Sequence, residues 1–211
     1  MDVVYIILGW LFGILSPGLV NKIANGYKKK SLKRVIIEEL KDTKKRLSSV
    51  PIMVYPAYGA LNEDHYLWVK EQTNNFTELI SDDDRKEKFD ELLKQNISDN
   101  NVIELFNSTE MKENPAFHFK KIETSIIDSN QINFDILDNQ FLIKILEIKF
   151  QIRVYNDEIQ SVNEYVKMTF DASMTDTNHQ IIQEQIKRKN YTIAEKAVLI
   201  VNKINQAVQF I

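Results

Sequence analysis

The feature that most constrains this chain is "VVYIILGWLFGILSPGLV", Val3 to Val20, eighteen residues without a charged side chain. Three fates compete for such a run. A secretory signal peptide needs a basic stretch before it and a small-x-small cleavage site after it. Here the only charged side chain before the run is Asp2, and nothing like A-x-A follows. A buried core helix is disfavoured by Gly9, Gly13 and Pro17, which are poor choices for a soluble helix interior. A transmembrane anchor fits better. Eighteen residues at the helical rise span ~27 Å, just under the ~30 Å hydrocarbon core. Asn21 to Ala24 can extend the helix, with Lys22 snorkelling to the headgroups. Pro and Gly are also commoner in membrane helices than in soluble ones.

The flanks orient such a span. Lys22, Lys28, Lys29, Lys30, Lys33 and Arg34 all follow it closely, and no basic residue precedes it. Basic residues stay on the cytoplasmic side. The expectation is therefore a bacterial inner-membrane protein crossing once, with its N-terminus outside and its C-terminal domain cytoplasmic. Residues 1–50 carry ten Lys/Arg against four Asp/Glu, and residues 51–211 carry seventeen against twenty-six. The basic excess adjoins the run, and the same six residues are candidates for anionic lipid headgroups. The acidic remainder argues against nucleic-acid binding through residues 51–211, since backbone affinity needs positive charge. The local triplet Lys187, Arg188 and Lys189 is too small to reverse this.

Five glycines and four prolines in 211 residues suit long helices rather than a loop-rich β fold. The chain contains no cysteine, which removes disulfides, thiolate zinc sites and cysteine nucleophiles. From Lys22 to about Val50, Ile23, Tyr27, Leu32, Ile36, Leu40, Leu47 and Val50 recur at helical steps, with Asn25-Gly26 as the expected bend. "VPIMVYPAYGALNEDHY" reads as a kinked helix or packed loop. Shorter helical pieces start at Asn62, at Ser81 and near Asn101, and 107–115 read as loop. Asp82, Asp83 and Asp84 resemble metal ligands, but at a helix start they serve as cap and dipole partners. From Gln131, Phe134 through Val166 hold a helical spacing, "DASMTDTNH" interrupts, and a second long helix carries Ile181 through Val208. Two long helices with a short connection make an antiparallel hairpin. The apolar ending "AVQFI" is expected to dock.

Catalytic patterns are missing. His65, His118 and His179 lie far apart in sequence, no Arg stands four to six residues before any of them, and there is no zinc, phosphate-loop or nucleophile-elbow motif. The expectation is no enzyme, no cofactor and no metal. Gly9, Gly13 and Pro17 instead form one smooth stripe, and small residues let membrane helices approach closely. A lone span has no partner in its own chain, which makes this stripe the candidate oligomerisation face.

The opening "LGWLFGILSPGLVNKI" followed by "KKKSLKR" resembles the N-termini of small single-span bacterial membrane proteins of phage-defence loci. The overall plan resembles the accessory membrane protein of type VI CRISPR systems. The resemblance covers the first fifty or so residues and the general layout, and carries no specific motif. It implies a ring-like oligomer that perturbs the membrane in antiviral defence. The absent Arg–His pair weighs against any ribonuclease role.

The expected organisation is all-α: an anchor at 1–24, a basic juxtamembrane helix at 25–57, and a cytosolic helical bundle at 58–211 that ends in a long helical hairpin. The expected partners are the lipid bilayer, further copies of the chain and a cytosolic protein. The function expected is an oligomeric membrane effector, pore-forming or membrane-perturbing, in CRISPR-type defence. The alternative is a membrane-tethered scaffold without catalysis.

Overall fold

The structure, a computed structural model, describes residues 2–75, 103–104, 117–171 and 173–209, without the side chains of 2–12, 14–19 and 73–75. Its described residues are helical, with no strand among them. The first helix, α1, runs unbroken over Asp2–Ala57. It runs without a break through Asn25-Gly26, the expected place for a bend, and through Pro17 and Pro51. Its length, at the helical rise, is ~84 Å. It stops at a glycine-dependent cap. Gly59 has φ 61°, a left-handed conformation open to glycine without steric cost. The Ala60 N–H donates to the Tyr55 carbonyl at 2.9 Å and the Gly59 N–H to the Pro56 carbonyl at 3.2 Å. These are the paired bonds that close a helix end with glycine just beyond it.

Helix α2, Glu63–Asn75, starts at Asn62, whose Oδ1 accepts from the His65 N–H at 2.8 Å and so satisfies one of the orphan amides of its first turn. Residues 117–124 are non-helical and lead into a short α3, Ser125–Ser129, and a 3-10 turn, Gln131–Ile136. Helix α4, Asn139–Met168, and helix α5, Asp176–Val208, follow. They form an antiparallel hairpin, pinned by Lys189–Glu158 at 2.6 Å and Lys203–Glu147 at 3.3 Å. The long helix expected from Gln131 therefore begins at Asn139. Phe134 and Leu137 are buried on the 3-10 turn and its extended exit, where they mimic the helical spacing.

Helix α5 packs along both α4 and α1. Ala194, Ala197 and Ala207 are fully buried on it. These small side chains let the backbones approach, while Ile36, Leu40 and Leu47 of α1 and Phe141, Ile145, Ile148 and Ile152 of α4 fill the remaining space. Two apolar positions of the α1 periodicity lie outside the core: Ile23 is 52% exposed and Tyr27 73%, and burial begins at Leu32. On α5, Ile181 is exposed too. Among the described residues no helix is long and apolar enough to cross a membrane. Most side chains of Val3–Val20 are not among those described. The helices expected at Ser81 and over most of 101–106, the loop expected at 107–115, Asp82, Asp83, Asp84 and the last two residues of "AVQFI" also lie outside the described residues.

Candidate membrane-proximal site

Where α1 leaves the bundle it stands alone. Every residue from Val20 to Lys28 is exposed. Further back on the same helix, Gly13 is exposed, and a Cβ built there or on Gly26 would meet nothing within 4 Å. Gly9 and Pro17 lie on the same helix, and their side-chain surroundings are outside the described residues. From Val20 to Leu32 the exposed stalk is ~18 Å long.

The six basic residues divide. Lys22, Lys28, Lys30 and Arg34 are exposed, with no ion pair among the described residues. Lys29 and Lys33 point back to the bundle. The Lys29 ammonium donates to Asp138 Oδ1 at 2.5 Å, and Lys33 lies 3.8 Å from Oδ2 and 4.9 Å above the Phe141 ring. Asp138 is the N-cap residue of α4, and its side chain makes no capping bond within that helix. The Lys29 hydrogen bond, followed by the charges of Lys29 and Lys33, holds its carboxyl below the usual carboxylate range. The clasp sits at the N-terminus of a 30-residue helix, where negative charge also meets the helix dipole favourably. Two of the six expected headgroup ligands are thus engaged inside the chain, and they fix where α1 joins the hairpin.

A second device fixes the same joint from the side. Glu39 of α1 reaches α3, and its two oxygens accept from the backbone N–H groups of Ile126 and Ile127 at 2.8 Å each. These amides open α3 and lack partners within it. Farther from the stalk, Asn156 of α4 holds Ile122 by both backbone groups, at 2.9 and 2.8 Å. A groove of about 660 Å³ lies along this seam, lined among others by Asp128, Leu146, Lys149, Phe150 and Arg153. Lys149 pairs with Asp128, whose carboxyl is lowered chiefly by that hydrogen bond. The Arg153 guanidinium sits 5.3 Å over Phe150.

The histidines serve three separate elements. His65 stacks on Tyr55 with ring centroids 3.9 Å apart, and its Nδ1 lies 3.2 Å from the Ala60 carbonyl. His118 is exposed beside Phe117 and Phe119, and His179 contacts Gln183 at 3.2 Å at the start of α5. Of the basic triplet, Lys187 lies over Tyr58 at 5.8 Å and Lys189 pairs with Glu158. Asn190, fully buried, donates to the Tyr58 hydroxyl at 2.8 Å, while its Oδ1 has no hydrogen-bond partner among the described residues. Burial raises the Tyr58 hydroxyl pKa, and the Asn190 bond offsets part of that rise.

Comparison with protein-family models, with curated proteins and with solved structures gives no match. The roles of Asp138, Glu39 and Asn156 are not legible in the sequence, because their partners are 109, 87 and 34 residues away. Only an alternation of half-buried polar positions on amphipathic helices hints at them.

Proposed function

We propose that this protein is a single-pass inner-membrane effector, N-terminus outside and bundle in the cytoplasm, that assembles in the bilayer and perturbs it. One observation carries the reading: α1 is both the bearer of the apolar run and a strut of the bundle core. The run Val3–Val20 and the core residues Leu32 to Val54 share one uninterrupted helix. Between them, every residue from Val20 to Lys28 is exposed, on all sides of the helix. A run this apolar gains ~25 cal/mol for each Å² removed from water, and its own bundle does not cover Gly13. A bilayer supplies that cover.

The unbroken helix also favours an effector over a passive tether. A tether needs only a flexible linker. A helix shared by span and core transmits any rotation or new association of the bundle into the bilayer. The exposed Lys22, Lys28, Lys30 and Arg34 suit anionic headgroups on the cytoplasmic face. The Gly9, Gly13 and Pro17 stripe suits close packing between copies. The antiviral setting rests on the resemblance of the first fifty residues alone, and catalysis is not part of the proposal.

Fractionation and topology test it. The full chain should pellet with membranes and resist carbonate extraction. Deletion of residues 2–24 should release it, and a C-terminal tag should survive protease added to intact spheroplasts. Expression should admit an otherwise excluded dye, and Gly9→Leu with Gly13→Leu should reduce dye entry without changing insertion. A full-length chain that is a monodisperse monomer without detergent would overturn the reading.

A further inference from the structure

The clasp between Lys29 and Asp138 stands at the end of the bundle nearest the apolar run. Asp138 is the N-cap residue of α4, and on α1 burial begins only at Leu32. The pair is open to solvent: the Lys29 side chain is 38% exposed and the Asp138 side chain 50%. Lys28, Lys30 and Arg34 are exposed around it on α1. Asp135, three residues before Asp138, is exposed too.

With an anchor over residues 1–24, Lys29 lies ~8 Å past its end along the helix. The potential of an anionic leaflet decays over about 8 Å at physiological ionic strength. Lys29 is therefore within that field, whereas Lys33, ~14 Å past the end, is beyond most of it. The field acts on the two partners of the clasp with opposite signs. It draws the Lys29 ammonium toward the headgroups and repels the carboxylates of Asp138 and Asp135. The two attractions on Lys29 are also close in size. An exposed ion pair contributes little to stability, and one lysine near an anionic leaflet gains an amount of the same order. Lipid composition then decides which partner Lys29 takes.

The rest of the joint is built to stay closed. Lys33 is only 18% exposed, 3.8 Å from Asp138 and over the Phe141 ring. Glu39 accepts from the Ile126 and Ile127 amides. Release of Lys29 frees the stalk before Leu32 and leaves the bundle intact.

We propose that the phosphate of an anionic lipid displaces Asp138 from Lys29, so that the clasp is a latch opened by an anionic leaflet. The inference rests on the anchoring and orientation proposed above, which set Lys29 beside the cytoplasmic headgroups. Latched, stalk and hairpin turn together. Unlatched, the stalk is held only from Leu32 onward, and movements of the bundle reach the span less directly.

The chain has no cysteine, so paired spin labels at Asn25→Cys and Gln140→Cys, both exposed, report on this joint alone. The labelled full chain is reconstituted in vesicles of phosphatidylcholine alone, or of equal parts phosphatidylcholine and phosphatidylglycerol. A narrow distance distribution should dominate in the first and lose several-fold in population in the second. Asp138→Asn should show the low population in both, with helical circular dichroism unchanged. Equal distributions for the wild type in the two vesicles would overturn the proposal, whatever the variant does. So would a folded Asp138→Asn that keeps the narrow distribution. Inorganic phosphate added to the neutral vesicles should leave the wild type latched. Opening there to the same degree would make the ligand a soluble anion and overturn the role of the leaflet. A chain that floats with neither vesicle would instead sink the anchoring, and the latch with it.

Discussion

Glu39 and Asp138 each do one job that their local sequence does not announce. Replacing Glu39 by Ala leaves the Ile126 and Ile127 amides without their acceptors. Part-buried groups so stranded cost about 1–3 kcal/mol, so urea denaturation should show a loss of that size. Glu39→Gln keeps one acceptor and should lose less. Stability unchanged in Glu39→Ala would mean water takes over both bonds. Asp138 sets a pH dependence. Its carboxyl lies below its ordinary value because Lys29 bonds the ionised form. The stabilisation is therefore complete above the ordinary carboxylate pKa of about 4 and is lost as pH falls from there through the lowered folded value. The protection factors of the Leu32 and Ile36 amides, taken relative to intrinsic exchange at each pH, should fall below about pH 4 in the wild type and lose that dependence in Asp138→Asn. No change on acidification would show that the clasp is not maintained in solution. Both residues are legible only as charges on amphipathic helices, because the helices that meet them are brought together by packing rather than by neighbourhood.

At the scale of the element, α1 is the informative case. The sequence predicts a bend at Asn25-Gly26, since glycine is costly inside a helix. The helix nonetheless continues through it, because fixing the joint at Lys29 and Lys33 and burying Leu32 onward outweighs a propensity difference of about 1 kcal/mol. Gly26→Ala should therefore stabilise the stalk by about 0.5–1 kcal/mol, since there is open space around the added Cβ. Slower amide exchange across residues 22–30 would show it, and faster exchange would contradict the continuous helix. Helix α5 makes the opposite point. Its buried face includes Ala194 and Ala197, which a search for large apolar residues passes over. Ala197→Leu inserts bulk where α5 lies against its neighbours and should cost about 1–3 kcal/mol in thermal or urea unfolding. An unchanged midpoint would mean that the helices are not in close contact there.

For the whole molecule, four tyrosines tie stability to alkaline pH. Burial raises the hydroxyl pKa of Tyr55, Tyr58, Tyr155 and Tyr191, with Glu195 adding to the rise at Tyr55 and Tyr191. The folded state holds these protons more tightly than the unfolded one. Stability is therefore fully present below the ordinary tyrosine pKa of about 10 and declines as pH rises above it. Helical circular dichroism should fall together with the appearance of phenolate absorbance from these residues. Tyr155→Phe, which keeps the ring and removes the hydroxyl, should shift the loss to higher pH. Phenolate formation at these four tyrosines, assigned through single Tyr→Phe variants, well before any helix loss would show the rings to be open to solvent.

What the sequence by itself determined is the helical class, the hairpin and the uncharged run, because each rests on short-range periodicity and side-chain chemistry that need no partner. The spacing of Ile145, Ile148, Ile152, Tyr155 and Ile159 marks a buried helical face wherever that helix packs. What only the tertiary structure decided is where the core begins on α1. Ile23, Tyr27, Leu32 and Ile36 look alike as a pattern, and the side on which a residue lies relative to α4 and α5 separates exposed from buried. Tertiary structure also decided which lysines are available. Lys28 and Lys30 are exposed with no ion pair among the described residues and Lys29 is clasped, since one residue turns a helix by about 100° and only the position of Asp138 says which direction leads to a partner.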